Sequence, residues 1–131
     1  MLDVCIKTIP HAAQRYDTCG DYWTDENGME QIRISDLGDR RYEFLVAVHE
    51  LIEDFICQYR GIGQEDIRDF DEQILRDMPE NNDPGSLPDA PYHKEHMFAT
   101  AVEMLVAQQL DVCWPDYEQA FDCLRYIQGE P

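Results

Sequence analysis

A chain of 131 residues that is 44% hydrophobic is sized for one compact domain with its own core, which excludes a disordered acidic tail. The formal net charge of −18 excludes direct binding to nucleic-acid phosphates or acidic membrane surfaces, and no apolar run approaches the length of a membrane span. The same charge favours cations or a basic protein as partner; one reading of it is a non-enzymatic acidic interaction protein that occupies a basic, nucleic-acid-binding host factor.

Residues 3–8 alternate, with Val4, Ile6 and Thr8 in register, and stop at Pro10, so a short strand is expected there. The stretch Asp21 to Gly28 ends on Asn27-Gly28, a hairpin-turn pair, and the return strand should run from Glu30 to Ser35 with Ile32 and Ile34 on one face. From about Arg40 to Tyr59 the period becomes helical. At about 100° per residue, Phe44, Val48, Leu51, Ile52 and Phe55 share an arc that should face the core. Glu43, Glu50 and Asp54 gather on the polar side, with His49 and Glu53 on the border between the two.

Gly61 and Gly63 end that helix, and Ile67, Phe70, Ile74 and Leu75 mark a shorter one over residues 64–77. A proline-rich, non-periodic loop at about 78–91 follows. A third helix is expected from near Tyr92 to Leu110, with Phe98, Val102, Leu105 and Val106 facing the core. A last one starts around Pro115 and carries Tyr117, Phe121, Leu124 and Ile127. The fold class expected is α+β: a small N-terminal antiparallel hairpin or sheet followed by a bundle of three to four helices, in a single domain spanning 1–131.

The start, Met1-Leu2-Asp3-Val4, lacks the basic residues and long apolar core of an export signal. The five cysteines (Cys5, Cys19, Cys57, Cys113 and Cys123) are scattered without a CxxC pair. A cytoplasmic protein with free thiols is the expectation.

The segment His49-Glu50-Leu51-Ile52-Glu53 carries the chemistry. A helix sets residues four apart on one face, so His49 and Glu53 can hold one metal ion together. Glu50 stands where the HExxH motif keeps its general base, and Glu53 stands where that motif has its second histidine. On the later helix His96, Thr100 and Glu103 form a lengthwise stripe that would face His49 if the two long helices packed antiparallel. His49, Glu53 and His96 are therefore the predicted metal ligands, with Glu50 as the catalytic residue. His96 and Glu103 lie roughly 10 Å apart along a helix, which makes Glu103 an outer partner or a fourth ligand. His93 competes with His96 as third ligand. Zinc is the preferred cofactor, and iron(II) or manganese suit the same donors. The reaction class is metal-assisted hydrolysis of an amide or related bond, on a substrate the residues do not name. A lone loop histidine, His11, is expected to face solvent.

The segments Ile9 to Tyr16, Gly20 to Trp23, Arg41 to Glu53, Ala90 to Tyr92 and Glu95-His96 resemble a group of small phage and prophage proteins of unassigned function. The likeness covers most of the chain and would place it in a host cytoplasm. More distantly, a hairpin followed by a helix bearing His-Glu is similar to minimal zincin-type metallopeptidases. That resemblance implies His49 as first ligand, Glu50 as general base and Glu53 as second ligand.

Overall fold

A computed structural model describes residues 1–124 of the chain. Three strands, β1 (Val4–Ile9), β2 (Gly20–Thr24) and β3 (Glu30–Ser35), form one sheet and precede four helices, α1 (Arg40–Tyr59), α2 (Gln64–Asp77), α3 (His93–Gln109) and α4 (Trp114–Asp122). The fold is α+β, a small N-terminal sheet followed by helices.

The hairpin forms as its turn residues dictate. Gly28 adopts φ +81°, a conformation open to glycine, while the Asp25 carboxylate accepts the backbone N–H groups of Asn27 and Met29 at 2.9 and 3.0 Å. β2 and β3 then pair antiparallel, with Tyr22 opposite Ile32. β1 departs from the antiparallel expectation. It lies on the other side of β3 and runs parallel to it, with Ile6 opposite Ile32, so the sheet is mixed, in the order β1-β3-β2. The physical reason is the connection over residues 10–19, which is long enough to carry the chain past the end of β3 and leave that strand in the middle. As the central strand, β3 buries Ile32, Ile34 and Ser35.

The Asp39 carboxylate caps α1 by accepting the Arg41 N–H. The helix is rotated relative to its expected apolar arc. Leu45, Val46, His49, Glu53, Asp54 and Cys57 are buried, whereas Phe44 and Phe55 are 53% and 56% exposed. α3 is turned in the same sense: Ala99, Glu103 and Ala107 are buried, and Phe98 and Leu105 are 55% and 62% exposed. The two helices run antiparallel. Arg60 at the end of α1 pairs with Glu95 at the start of α3 (2.5 Å), and the Arg41 guanidinium donates to the Leu110 carbonyl (3.3 Å). The small Ala99 and Ala107 side chains let the helix backbones approach. Polar side chains are tolerated between them because each finds a partner there.

Ile67 and Ile74 anchor α2, and Tyr117 anchors α4 with no exposed surface. Ile127, assigned to the last helix by its spacing, lies outside the described residues. The proline-rich loop contains a 3-10 turn, Pro84–Ser86, which buries Gly85. Cys57 is buried as a small helical residue should be, while Cys123 is exposed, and all five cysteines are free. Among the described residues no helix is long and apolar enough to cross a membrane.

Candidate metal centre

α1 brings His49 and Glu53 onto adjacent turns, and α3 sets His96 against both. His49 Nε2 lies 2.9 Å from Glu53 Oε2, His96 Nδ1 lies 2.8 Å from the same oxygen, and the two nitrogens are 3.2 Å apart. One donor atom from each of the three residues thus converges on one point, in a setting where His49 and Glu53 are buried and His96 is half-buried.

Every remaining polar atom of this cluster is bonded outwards. His49 Nδ1 donates to Glu103 Oε1 (2.7 Å), whose other oxygen accepts the Tyr117 hydroxyl (2.5 Å). His96 Nε2 donates to Asp83 Oδ1 (2.8 Å). The Tyr22 hydroxyl donates to Glu53 Oε1 (2.9 Å). These outer carboxylates fix the tautomers by holding an N–H on the far side of each ring. The inward nitrogens of neutral imidazoles are therefore lone pairs, and they point at a carboxylate oxygen that has only lone pairs to offer. Such a convergence requires positive charge at its centre, from protons or from a cation.

Without a metal, protons fill that role. Burial works against a charged His49, but its bonds to Glu103 and Glu53 outweigh it and push the imidazole up to about 11. His96 is likewise disfavoured by burial and rescued by Asp83 and Glu53, which push it up to about 9. Burial alone would raise Glu53, yet the two histidines hold it down to about 2. Two imidazolium ions (+2) with Glu53, Glu103 and Asp83 (−3) leave a charge of −1. A dication held by two neutral histidines and the same three carboxylates also leaves −1. One divalent ion is therefore electrostatically equivalent to the two protons it would displace.

Glu50 sits beside this cluster and lines the same open cleft of about 650 Å³. Its carboxyl presses on the start of β2, where only glycine fits: a Cβ on Gly20 would stand 2.3 Å from Glu50 Oε1. Among the described residues its carboxylate makes no hydrogen bond. Burial, reinforced by the charge of Glu53, raises its proton affinity well above that of an ordinary glutamate.

No family model, curated protein or solved structure matches this chain.

Of the residues singled out by spacing, His49, Glu53 and His96 meet, and Glu103 stands behind His49. His93 does not join them; its Nδ1 donates to the Gly85 carbonyl (3.0 Å) and so secures the proline-rich loop to α3. His11 is buried rather than solvent-facing, with its ring between the Ser35 hydroxyl (2.7 Å) and Asp17 (2.8 Å), because the connection from β1 to β2 passes over the end of β3. Asp83, Tyr22 and Tyr117 are participants that no sequence pattern indicated. The one local hint is at Asp83, in the polar run Asn81-Asn82-Asp83 just before the turn that covers His96.

Proposed function

We propose that this chain is a cytoplasmic metal-binding protein in which His49, Glu53 and His96 hold one divalent ion, zinc by preference, and that the site serves hydrolysis of an amide or related bond. The observation that carries this reading is the convergence of three lone-pair atoms, each on a side chain whose outer atom is already held by a partner. Two imidazoles and one carboxylate are the donor set of many hydrolytic zinc centres, and outer carboxylates on the histidines are their usual support. Iron(II) and manganese accept the same donors.

A bound divalent ion supplies Lewis acidity towards a carbonyl oxygen. Glu50 supplies the base. Its carboxyl lines the cleft with no hydrogen bond among the described residues; burial and the charge of Glu53 raise its proton affinity, and the charge of a bound dication would oppose them, leaving the carboxylate free to take a proton from an attacking water. His49, Glu53 and His96 orient the reacting centre, and the residues behind them keep it rigid. A His-Glu pair on a helix that follows a hairpin would also suit a zincin-type peptidase, and a reducing cytoplasm would keep the five free cysteines as thiols.

The test is elemental analysis of untagged protein, purified without chelator, beside His49→Ala and Glu50→Gln. The reading expects one zinc, iron or manganese per chain in the wild type, none in His49→Ala, and full metal but no hydrolysis of amide substrates in Glu50→Gln. An empty wild type that also fails to take up added zinc would sink it, and would favour an acidic protein acting on a basic partner.

A further inference from the structure

Among the described residues, the outer face of the α1/α3 pair is apolar and uncovered. Phe44, Phe55 and Tyr59 on α1 are 53%, 56% and 84% exposed, and Phe98 and Leu105 on α3 are 55% and 62% exposed. Helical spacing puts each set on one side of its helix, and the antiparallel packing lays the two sides next to each other. All six carboxylates of these helices turn elsewhere: Glu53, Asp54, Glu95 and Glu103 are buried, Glu50 faces the cleft, and Glu43 accepts the Leu37 N–H at 3.0 Å. In a chain of net charge −18 this face carries no negative group. At its ends stand Arg40 with the Arg41–Asp39 ion pair (2.8 Å), and Lys94 with the Arg60–Glu95 ion pair (2.5 Å).

We propose that two copies of this chain associate through this face, α1/α3 against α1/α3, as an isologous helical dimer. A basic partner would find no carboxylate on this face to pair with, whereas a second copy presents the same uncharged apolar centre. Elsewhere on the surface two copies would set carboxylates against carboxylates; here they do not. The area is also sufficient. With aromatic side chains burying about 150–250 Å² each, the exposed parts of these five residues amount to roughly 500–600 Å². That is roughly the apolar share of a standard footprint of about 800 Å² per partner. The cleft opens on other residues of the two helices, so the dimer leaves the candidate metal centre accessible.

Sedimentation equilibrium of the full chain at micromolar concentrations, beside Phe98→Glu and Leu105→Lys, decides the matter. The wild type should show twice the chain mass, and added salt should tighten it by screening the repulsion of two acidic chains. Each substitution should raise the dissociation constant by about 30-fold or more. Both residues are more than half exposed in the single chain, so circular dichroism and the melting midpoint should stay close to wild type. If one variant fails to fold, the other carries the comparison. A monomeric wild type, or a dimer that survives the substitutions in folded protein, overturns the proposal.

Discussion

His49 Nε2 and His96 Nδ1 stand 3.2 Å apart, and the far nitrogen of each ring is held by a carboxylate, Glu103 for one and Asp83 for the other. With the far nitrogens committed as donors, the near ones have two states open to them. Either each carries a second proton and donates to the shared oxygen of Glu53, or both present lone pairs to a common cation. An uncharged, empty centre would leave lone pairs facing one another in a buried setting, where unpaired polar groups are costly.

Metal uptake should therefore be an exchange of two protons for one ion. His49 and His96 are pushed up to about 11 and about 9, so both are protonated in the metal-free protein at neutral pH. Their folded values lie above the unfolded value of about 6.5. The stability they lend the metal-free protein is thus complete below that pH and is lost as the pH rises through about 9 and then about 11. Metal competes against it, so affinity should rise with pH, by up to about 100-fold per pH unit between neutrality and about 9. Zinc titration calorimetry in buffers of different ionisation enthalpy should give about two protons released per ion. Release of none would mean that the ion binds elsewhere.

Asp83 offers a clean probe of the outer partners, because its side chain is 55% exposed and contributes little to the core. Asp83→Asn removes the charge that holds the His96 proton outwards. Zinc affinity, measured by competition with a chromophoric chelator, should fall by about 10- to 100-fold. The melting temperature of the metal-free protein should change far less. Unchanged affinity would show that His96 needs no outer carboxylate.

The parts of this fold that were legible are those written in local chemistry. Asn27-Gly28 announces a turn that requires positive φ, and Gly61, at φ +71°, ends α1 where the pattern breaks. The order of the strands was not legible, since the alternation of β1 is the same whichever neighbour it takes and whichever way it runs. Nor was the rotation of α1. A wheel ranks Phe44 and Phe55 above His49 and Glu53 for burial, but the partners that reverse the ranking, Tyr22, His96 and Glu103, come from distant parts of the chain. The four-residue spacing of His49 and Glu53 was visible for the same reason that Asp83 and Tyr117 were not: one is a property of a single helix, the other of how separate elements pack.

Gly85 ties the proline-rich loop to the centre. A Cβ there would stand 2.5 Å from His96 Cγ and 2.7 Å from a ring carbon of Tyr92. Neither ring can yield freely, since His96 is bonded at both nitrogens and the Tyr92 hydroxyl donates to Asp71. Gly85→Ala should cost roughly 1–3 kcal/mol by overpacking and should displace His96 from the shared oxygen. Thermal melts with and without added zinc check both effects. The variant should melt lower than wild type and gain less from the metal. An equal gain would show that the loop does not help to place His96.

Away from the centre, Asp54 makes the alkaline limb of stability testable. It is 2% exposed and lies against Glu30 of the central strand; burial, with Glu30 adding to it, pushes its carboxyl up to about 8 despite a bond from the Gln58 amide (2.9 Å). An unfolded aspartate ionises near 3.9, so between these values the folded chain keeps a proton that the unfolded chain has released. Its contribution to stability is complete below about pH 4, declines as the pH rises and is gone above about 8. Asp54→Asn cannot ionise. It should match the wild type near pH 4 and exceed it by a margin that grows to several kcal/mol at about pH 8, as read from urea unfolding across that range. If the wild-type curve is flat between those limits, Asp54 is not holding a proton, and the pair with Glu30 must be charged and solvated instead.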